Sequence, residues 1–199
     1  MVHRNLGQRP CIVMAHPDDE TLWAGGLPIR FPTLEWSAVC CSIPRLDPER
    51  ADHFKNACGV LGIKNFNVLP FSEGEPSREF EHIDMLHRLF STSQIGTPCD
   101  SFVTHGPDGE YGHVHHKQIH RYVMEHAGDR PVLTININGG GELLRLDNAE
   151  EDQKLKALQC YQTVLPGAPP KWRALLDRYY DDGRRLFSCE YYDLRLPNA

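Results

Sequence analysis

Short runs rich in apolar residues alternate with stretches of helical periodicity along this chain. The runs are Cys11–Met14, Glu35–Ile43, Phe66–Pro70, Asp100–Thr104 and Pro131–Ile137. They are short and bounded by Gly, Pro or polar clusters, as strands covered on both faces read. Between them, 20–30, 48–61, 79–91 and 114–126 space apolar residues as helices do. Ala51, Phe54, Cys58 and Leu61 form the expected inward face of the second helix, and Ile119, Tyr122 and Val123 that of the fourth. Strand and helix in alternation predict an α/β fold: a mostly parallel sheet with helices on both faces. Further on, 150–164 and 171–180 read as helices, and Cys189–Leu196 as an edge strand. At 199 residues, one domain spanning 1–199 is the expectation.

Charge and cysteine usage narrow the function. The net charge of -6 argues against nucleic acid or an anionic membrane as the main partner. No stretch is long and apolar enough to span a bilayer, and 1–10 has no apolar signal core. Seven cysteines, an odd number with no C-x-x-C pair, predict free thiols in a reducing cytoplasm. Cys11, Cys40, Cys41 and Cys99 fall in apolar runs, where a thiol acts as a small hydrophobe.

The first strand runs into His16-Pro17-Asp18-Asp19-Glu20. Pro17 has no N–H for a ladder bond, so the strand stops there. Ligands of open α/β sheets bind beyond the carboxyl ends of strands, which is where these residues fall. His16 and Asp19 can offer a ring nitrogen and a carboxylate oxygen to one metal ion, leaving Asp18 beside it as a free carboxylate. Read alone, the same acids would cap a helix. A second cluster, Gly112-His113-Val114-His115-His116, follows the fourth strand and so falls at the same end of the sheet. Two histidines and a carboxylate with open positions make a catalytic metal set. His115 and His120 read as solvated, and His126 as the residue closing its helix. Asn138–Gly141 is Gly-rich but lacks the phosphate-binding spacing.

These motifs resemble the LmbE/PIG-L family of zinc-dependent de-N-acetylases. The resemblance rests on His16–Glu20 and on Thr104-His105-Gly106-Pro107-Asp108-Gly109-Glu110-Tyr111-Gly112-His113 running into His116. Arg50 upstream of Leu61-Gly62-Ile63, and Lys154, Ala157, Leu158 and Tyr161 in a late helix, agree with it. The resemblance implies a Rossmann-like fold and metal ligands His16, Asp19 and His116, with Zn²⁺ as cofactor or another divalent ion such as Fe²⁺. It implies Asp18 as general base and a protonated His113 assisting the oxyanion or leaving group. The implied substrate is a small N-acetylated sugar or glycoconjugate, with Arg50 as a candidate to bind an anionic group. Two positions depart from the family pattern. His115 stands where the family has an aspartate, and His53 where it has a glutamate. The acid at the first normally supports the preceding histidine, so Glu110 or Asp108 becomes the candidate support for His113. Two other readings are a non-catalytic Rossmann-like sugar- or nucleotide-binding protein and a non-haem iron enzyme. The reading leaves room for an oligomer.

Overall fold

The computed structural model describes residues 5–43, 49–72, 78–81, 98–161 and 189–195. Among the described residues seven strands make one sheet: β1 (Pro10–Met14), β2 (Ser37–Ile43), β3 (Asn65–Ser72), β4 (Ser101–Thr104), β5 (Val132–Ile135), β6 (Glu142–Arg145) and β7 (Cys189–Arg195). Their order is β3-β2-β1-β4-β5-β7-β6. Strands β1 to β5 pair in parallel, and β7 runs antiparallel to β5 and β6. From β1 the chain winds outward to β2 and β3; it then returns to place β4 on the other side of β1. The carboxyl ends of β1 and β4 therefore flank a point of reversal, where such sheets open a crevice.

The helices are α1 (Asp19–Ala24), α2 (Gly26–Arg30), α3 (Arg50–Leu61), α4 (Gly109–Gly112), α5 (Val114–His126) and α6 (Asn148–Gln159). Strand β1 shows both faces covered. Ile12 and Met14 join the core beneath α1, α2, α3 and α6, while Cys11 and Val13 join the core beneath α5. That split follows from the alternation of side chains along a strand. Ile119, Tyr122 and Val123 of α5 are buried as expected. Helix α3 ends at Gly62, whose φ of 81° is a left-handed conformation that a glycine adopts without strain. All seven cysteines are free thiols, and Cys11, Cys40, Cys41 and Cys99 are buried. Among the described residues no helix is long and apolar enough to cross a membrane.

Several expectations need correction. The helix expected over 20–30 is two, α1 and α2, with Gly25 between them. Pro28 lies in the first turn of α2, where no intrahelical N–H bond is required. On α3, Ala57 rather than Ala51 faces the core. Strand β7 is not at the edge: β6 pairs with its outer side. Helix α6 starts at Asn148 because Asp147 and Glu150 form a reciprocal capping box. The helix expected over 79–91 lies mostly outside the described residues, and the one over 171–180 lies wholly outside them.

Candidate metal centre

Three side chains converge where β1 and β4 end. His16 follows β1, Asp19 opens α1, and His116 lies in the first turn of α5. His16 Nδ1 is 3.2 Å from His116 Nε2 and 3.2 Å from Asp19 Oδ2, and His116 Nε2 is 3.3 Å from Asp19 Oδ2. Ligand atoms held tetrahedrally at 2.0–2.2 Å from zinc stand about 3.3–3.6 Å apart. The three atoms fit a divalent ion in spacing and in chemistry.

Hydrogen bonds around the triangle decide which atoms face inward. His116 Nδ1 donates to Glu110 Oε2 at 2.5 Å, leaving Nε2 for the centre. The same oxygen accepts from His105 Nδ1 at 3.0 Å, while Glu110 Oε1 accepts the Gly106 N–H at 2.8 Å. Burial opposes the Glu110 charge, yet His105 and His116 hold the carboxyl down at about 2. Asp19 Oδ1 accepts from the Trp23 indole N–H at 3.2 Å, and Oδ2 accepts the His16 N–H at 2.9 Å. Burial opposes the Asp19 charge too, but His116 and the other rings around it hold its pKa well below the usual range. Burial likewise opposes charge on His116, while Asp19 and Glu110 raise that ring to about 10. Without an ion, a proton on His116 can serve the same carboxylate.

Other histidines also bring nitrogens near: His16, His113 and His116 form one potential ligand group, and Asp19, His105 and His116 another. Hydrogen bonds already engage two of these rings. His105 Nε2 accepts the Ala15 N–H at 3.0 Å, which uses its single lone pair. Its 3.4 Å approach to Asp19 Oδ2 is therefore a contact between two acceptors. His113 is the N-cap of α5, and its Nδ1 accepts the His115 N–H at 3.2 Å. A neutral ring used in this way carries its proton on Nε2. Burial, then the neighbouring His116 and His16, push His113 down to about 3, so the ring is neutral at pH 7. Where the resemblance implies a protonated His113, the low pKa and the Nδ1 contact favour a neutral ring with its N–H on Nε2. Glu110 does not support His113; its partners are His116 and His105.

Asp18 lies outside the triangle. It holds the N-cap position of α1, but its side chain makes no capping bond. Instead its Oδ2 pairs with the Arg50 guanidinium at 2.6 Å, and Arg50 also donates to the Pro17 carbonyl. Asp18 has φ 110°, a left-handed conformation costing a non-glycine residue of order 1–3 kcal/mol. Strain of this kind persists only where surrounding contacts over-determine it. Asp18 N–H is held by Glu20 Oε2 at 3.2 Å. Burial pushes Glu20 up to about 7, although it accepts from Thr21 at 2.5 Å and from the Tyr161 hydroxyl at 2.7 Å.

His115 is not solvated. It is 1% exposed, with Nδ1 2.9 Å from His16 Nε2 and Nε2 2.8 Å from the Arg78 carbonyl. Burial, with His16 beside it, lowers its pKa to about 4. His120 points to the His105 carbonyl, 2.8 Å away, and His126 to that of Tyr122 at 2.8 Å. Periodicity already carried the signal for His115: it stands four and seven residues before the buried Ile119 and Tyr122.

Fold and centre together define a doubly wound α/β protein with a metal-type donor set at its switch point. The chain belongs to the PIG-L family, described as GlcNAc-PI de-N-acetylase, which matches residues 11–127. It is 28% identical over 151 residues to 1D-myo-inositol 2-acetamido-2-deoxy-alpha-D-glucopyranoside deacetylase 2 from Catenulispora acidiphila. That match covers 58% of this chain and only 50% of the relative. Among solved structures, the N,N'-diacetylchitobiose deacetylase from Pyrococcus horikoshii has a TM-score of 0.73 at 15% identity, covering 96% of this chain and 85% of its own. The 4-carboxy-2-hydroxymuconate hydratase GalB from Pseudomonas putida has a TM-score of 0.69 at 17% identity, covering 96% and 98%. At these identities the likeness shows the fold.

Proposed function

We propose that this chain is a metal-dependent hydrolase that removes the acetyl group from an N-acetylated sugar conjugate. The observation that carries the reading is the His16–Asp19–His116 triangle, with a second carboxylate on the neighbouring residue, Asp18, held by Arg50. His16 Nδ1, Asp19 Oδ2 and His116 Nε2 would hold the ion, zinc by the character of the donors. When bound, a zinc ion lowers the pKa of water toward ~7 and polarises a carbonyl.

The chain's own groups do the rest. Asp18 accepts the proton that water gives up as it attacks the acetyl carbon, then returns a proton to the leaving amine. Arg50, expected to meet an anionic group of the substrate, is engaged with Asp18 and Pro17; we assign it to holding Asp18 in place. His113 donates from Nε2 to the developing oxyanion as a neutral ring. The names of the relatives, an inositol acetylglucosaminide deacetylase and a diacetylchitobiose deacetylase, support an N-acetylglucosamine-type substrate. The free thiols fit a reducing compartment, which we take to be the cytoplasm.

Metal content and acetate release on one preparation test the reading. The substrates are N-acetylglucosamine, its inositol glycoside and N,N'-diacetylchitobiose. The expected result is one divalent ion per chain and acetate from at least one substrate, with most metal lost in His116→Ala. A folded wild type that binds no metal overturns the reading. Metal without acetate from any of the three turns attention to other chemistry, since the fold is shared with a hydratase.

A further inference from the structure

The two histidines of the triangle are backed by different chemistry. His116 leans on a carboxylate, Glu110. His16 leans on a second imidazole, that of His115, which leans in turn on the Arg78 carbonyl. A carbonyl only accepts, so in the neutral ring the His115 proton lies on Nε2 and Nδ1 is left to accept from His16 Nε2. His16 then presents a bare Nδ1 to the centre. The His115 ring is fixed as well as bonded. It stacks on Phe80 with centroids 3.8 Å apart and planes at 22°. The Phe80 backbone is pinned by Gln118, whose Oε1 accepts its N–H at 2.7 Å and whose Nε2 donates to its carbonyl at 3.1 Å. His115 and Gln118 are three apart on α5, so one helix face builds the whole support.

We infer that His115 is the positioning residue for His16, and that by supplying a neutral partner it sets the centre's affinity below what an acid at the same place would give. A ring that donates to a carboxylate becomes a more basic ligand; one that donates to a neutral nitrogen gains less. Outer partners of this kind change metal affinity by roughly 10–100-fold. The inference rests on the reading of His16 as a ligand.

The test is zinc affinity, measured by competition with a chromogenic chelator, with melting temperature recorded on the same samples. His115→Asn keeps an acceptor oxygen near the place of Nδ1 and should bind zinc as the wild type does. His115→Ala should bind about 10-fold more weakly, and His115→Asp about 10-fold more tightly. A role in packing alone forecasts a different order: Asn and Ala alike, and Asp worst. Wild-type affinity in a folded His115→Ala, or weaker binding in a folded His115→Asp, overturns the inference. If the aspartate variant does not fold, the Asn and Ala pair decides. His16→Ala is the separate control: unchanged zinc affinity there removes His16 from the ligand set and fells the parent reading, whatever position 115 does.

Discussion

Two buried polar clusters touch α1 and α2, and they are built on opposite rules. In the first, Lys154 Nζ donates to Glu190 Oε1 at 2.5 Å, and the Gly26 N–H reaches the same oxygen at 2.8 Å. The Tyr192 hydroxyl lies 2.6 Å from Glu190 Oε2. Even the glycine is accounted for: a Cβ at Gly26 would stand 2.7 Å from Glu190 Oε2. Donors meet acceptors, one cation meets one anion, and nothing more is needed. In the second, His16 Nδ1, Asp19 Oδ2 and His116 Nε2 turn lone pairs toward one point. That cluster is complete only when a proton or a metal cation stands among them. Burial does not separate the two, since Lys154 and Asp19 are both hidden. The sense of the hydrogen bonds does: a closed set of pairs holds a fold together, and a set of converging acceptors holds a ligand.

The largest effect should come from testing whether the open cluster does chemistry. Asp18→Asn keeps shape and a polar oxygen but removes the base. Deacetylation should fall by ~10²–10⁴-fold, the scale of a general base, with the fold and most of the zinc kept. Loss of metal and activity together would instead make Asp18 a ligand and exchange its assignment with Asp19. Unchanged turnover with full metal would remove Asp18 from the mechanism.

The closed cluster should respond in the opposite currency. Lys154→Met leaves Glu190 buried without its cation, a change that costs about 3–5 kcal/mol of stability. Zinc per folded chain should be untouched. Adding Glu190→Gln removes the stranded charge and should recover part of the loss, because the pair is coupled. Denaturant unfolding of the single and double variants reads this directly. A fall in zinc stoichiometry in folded Lys154→Met would show that the clusters are not independent.

The contrast also explains what could be read from the chain alone. His16, Asp18 and Asp19 stood out because they lie within a few residues of the end of β1, and the histidines at 113–116 because their loop follows β4, whose end the alternation places beside that of β1. The support was less visible. Glu110 looked like an aid to His113, its neighbour in sequence; a left-handed turn at Glu110 itself (φ 55°) accompanies its bonds to His105 and His116 instead. His115 looked solvated because it is polar, although its helical phase matches the core. The Lys154–Glu190 pair could not be anticipated, since its partners come from a helix and a strand far apart in sequence. Strand β6 is four residues with two leucines between charges, too short for periodicity to register.

A partly exposed ion pair gives the scale at the small end. Arg30 clasps Glu150 with two nitrogens, and its side chain is 35% exposed against 1% for Lys154. Glu150 also accepts the Asp147 N–H at 2.8 Å within the capping box of α6. Glutamine can fill the same capping position, so Glu150→Gln removes the charge and keeps the cap. The expected loss at pH 7 is about 0.2–1 kcal/mol, as for other solvent-exposed pairs. Its pH dependence follows from the lowered Glu150 pKa, which the Arg30 hydrogen bond causes foremost. A carboxyl whose pKa is lower folded than unfolded stabilises the fold above its unfolded value of ~4.3. That contribution fades as pH falls through the folded value. Wild type and variant should therefore differ at pH 7 and converge toward pH 3 in denaturant titrations. A difference that stays constant over this range would mean that Glu150 acts through the cap geometry and not through its charge. A loss as large as that of Lys154→Met would mean that exposure does not separate the two ion pairs, and that the pairing at Glu190 is not special to a buried cluster.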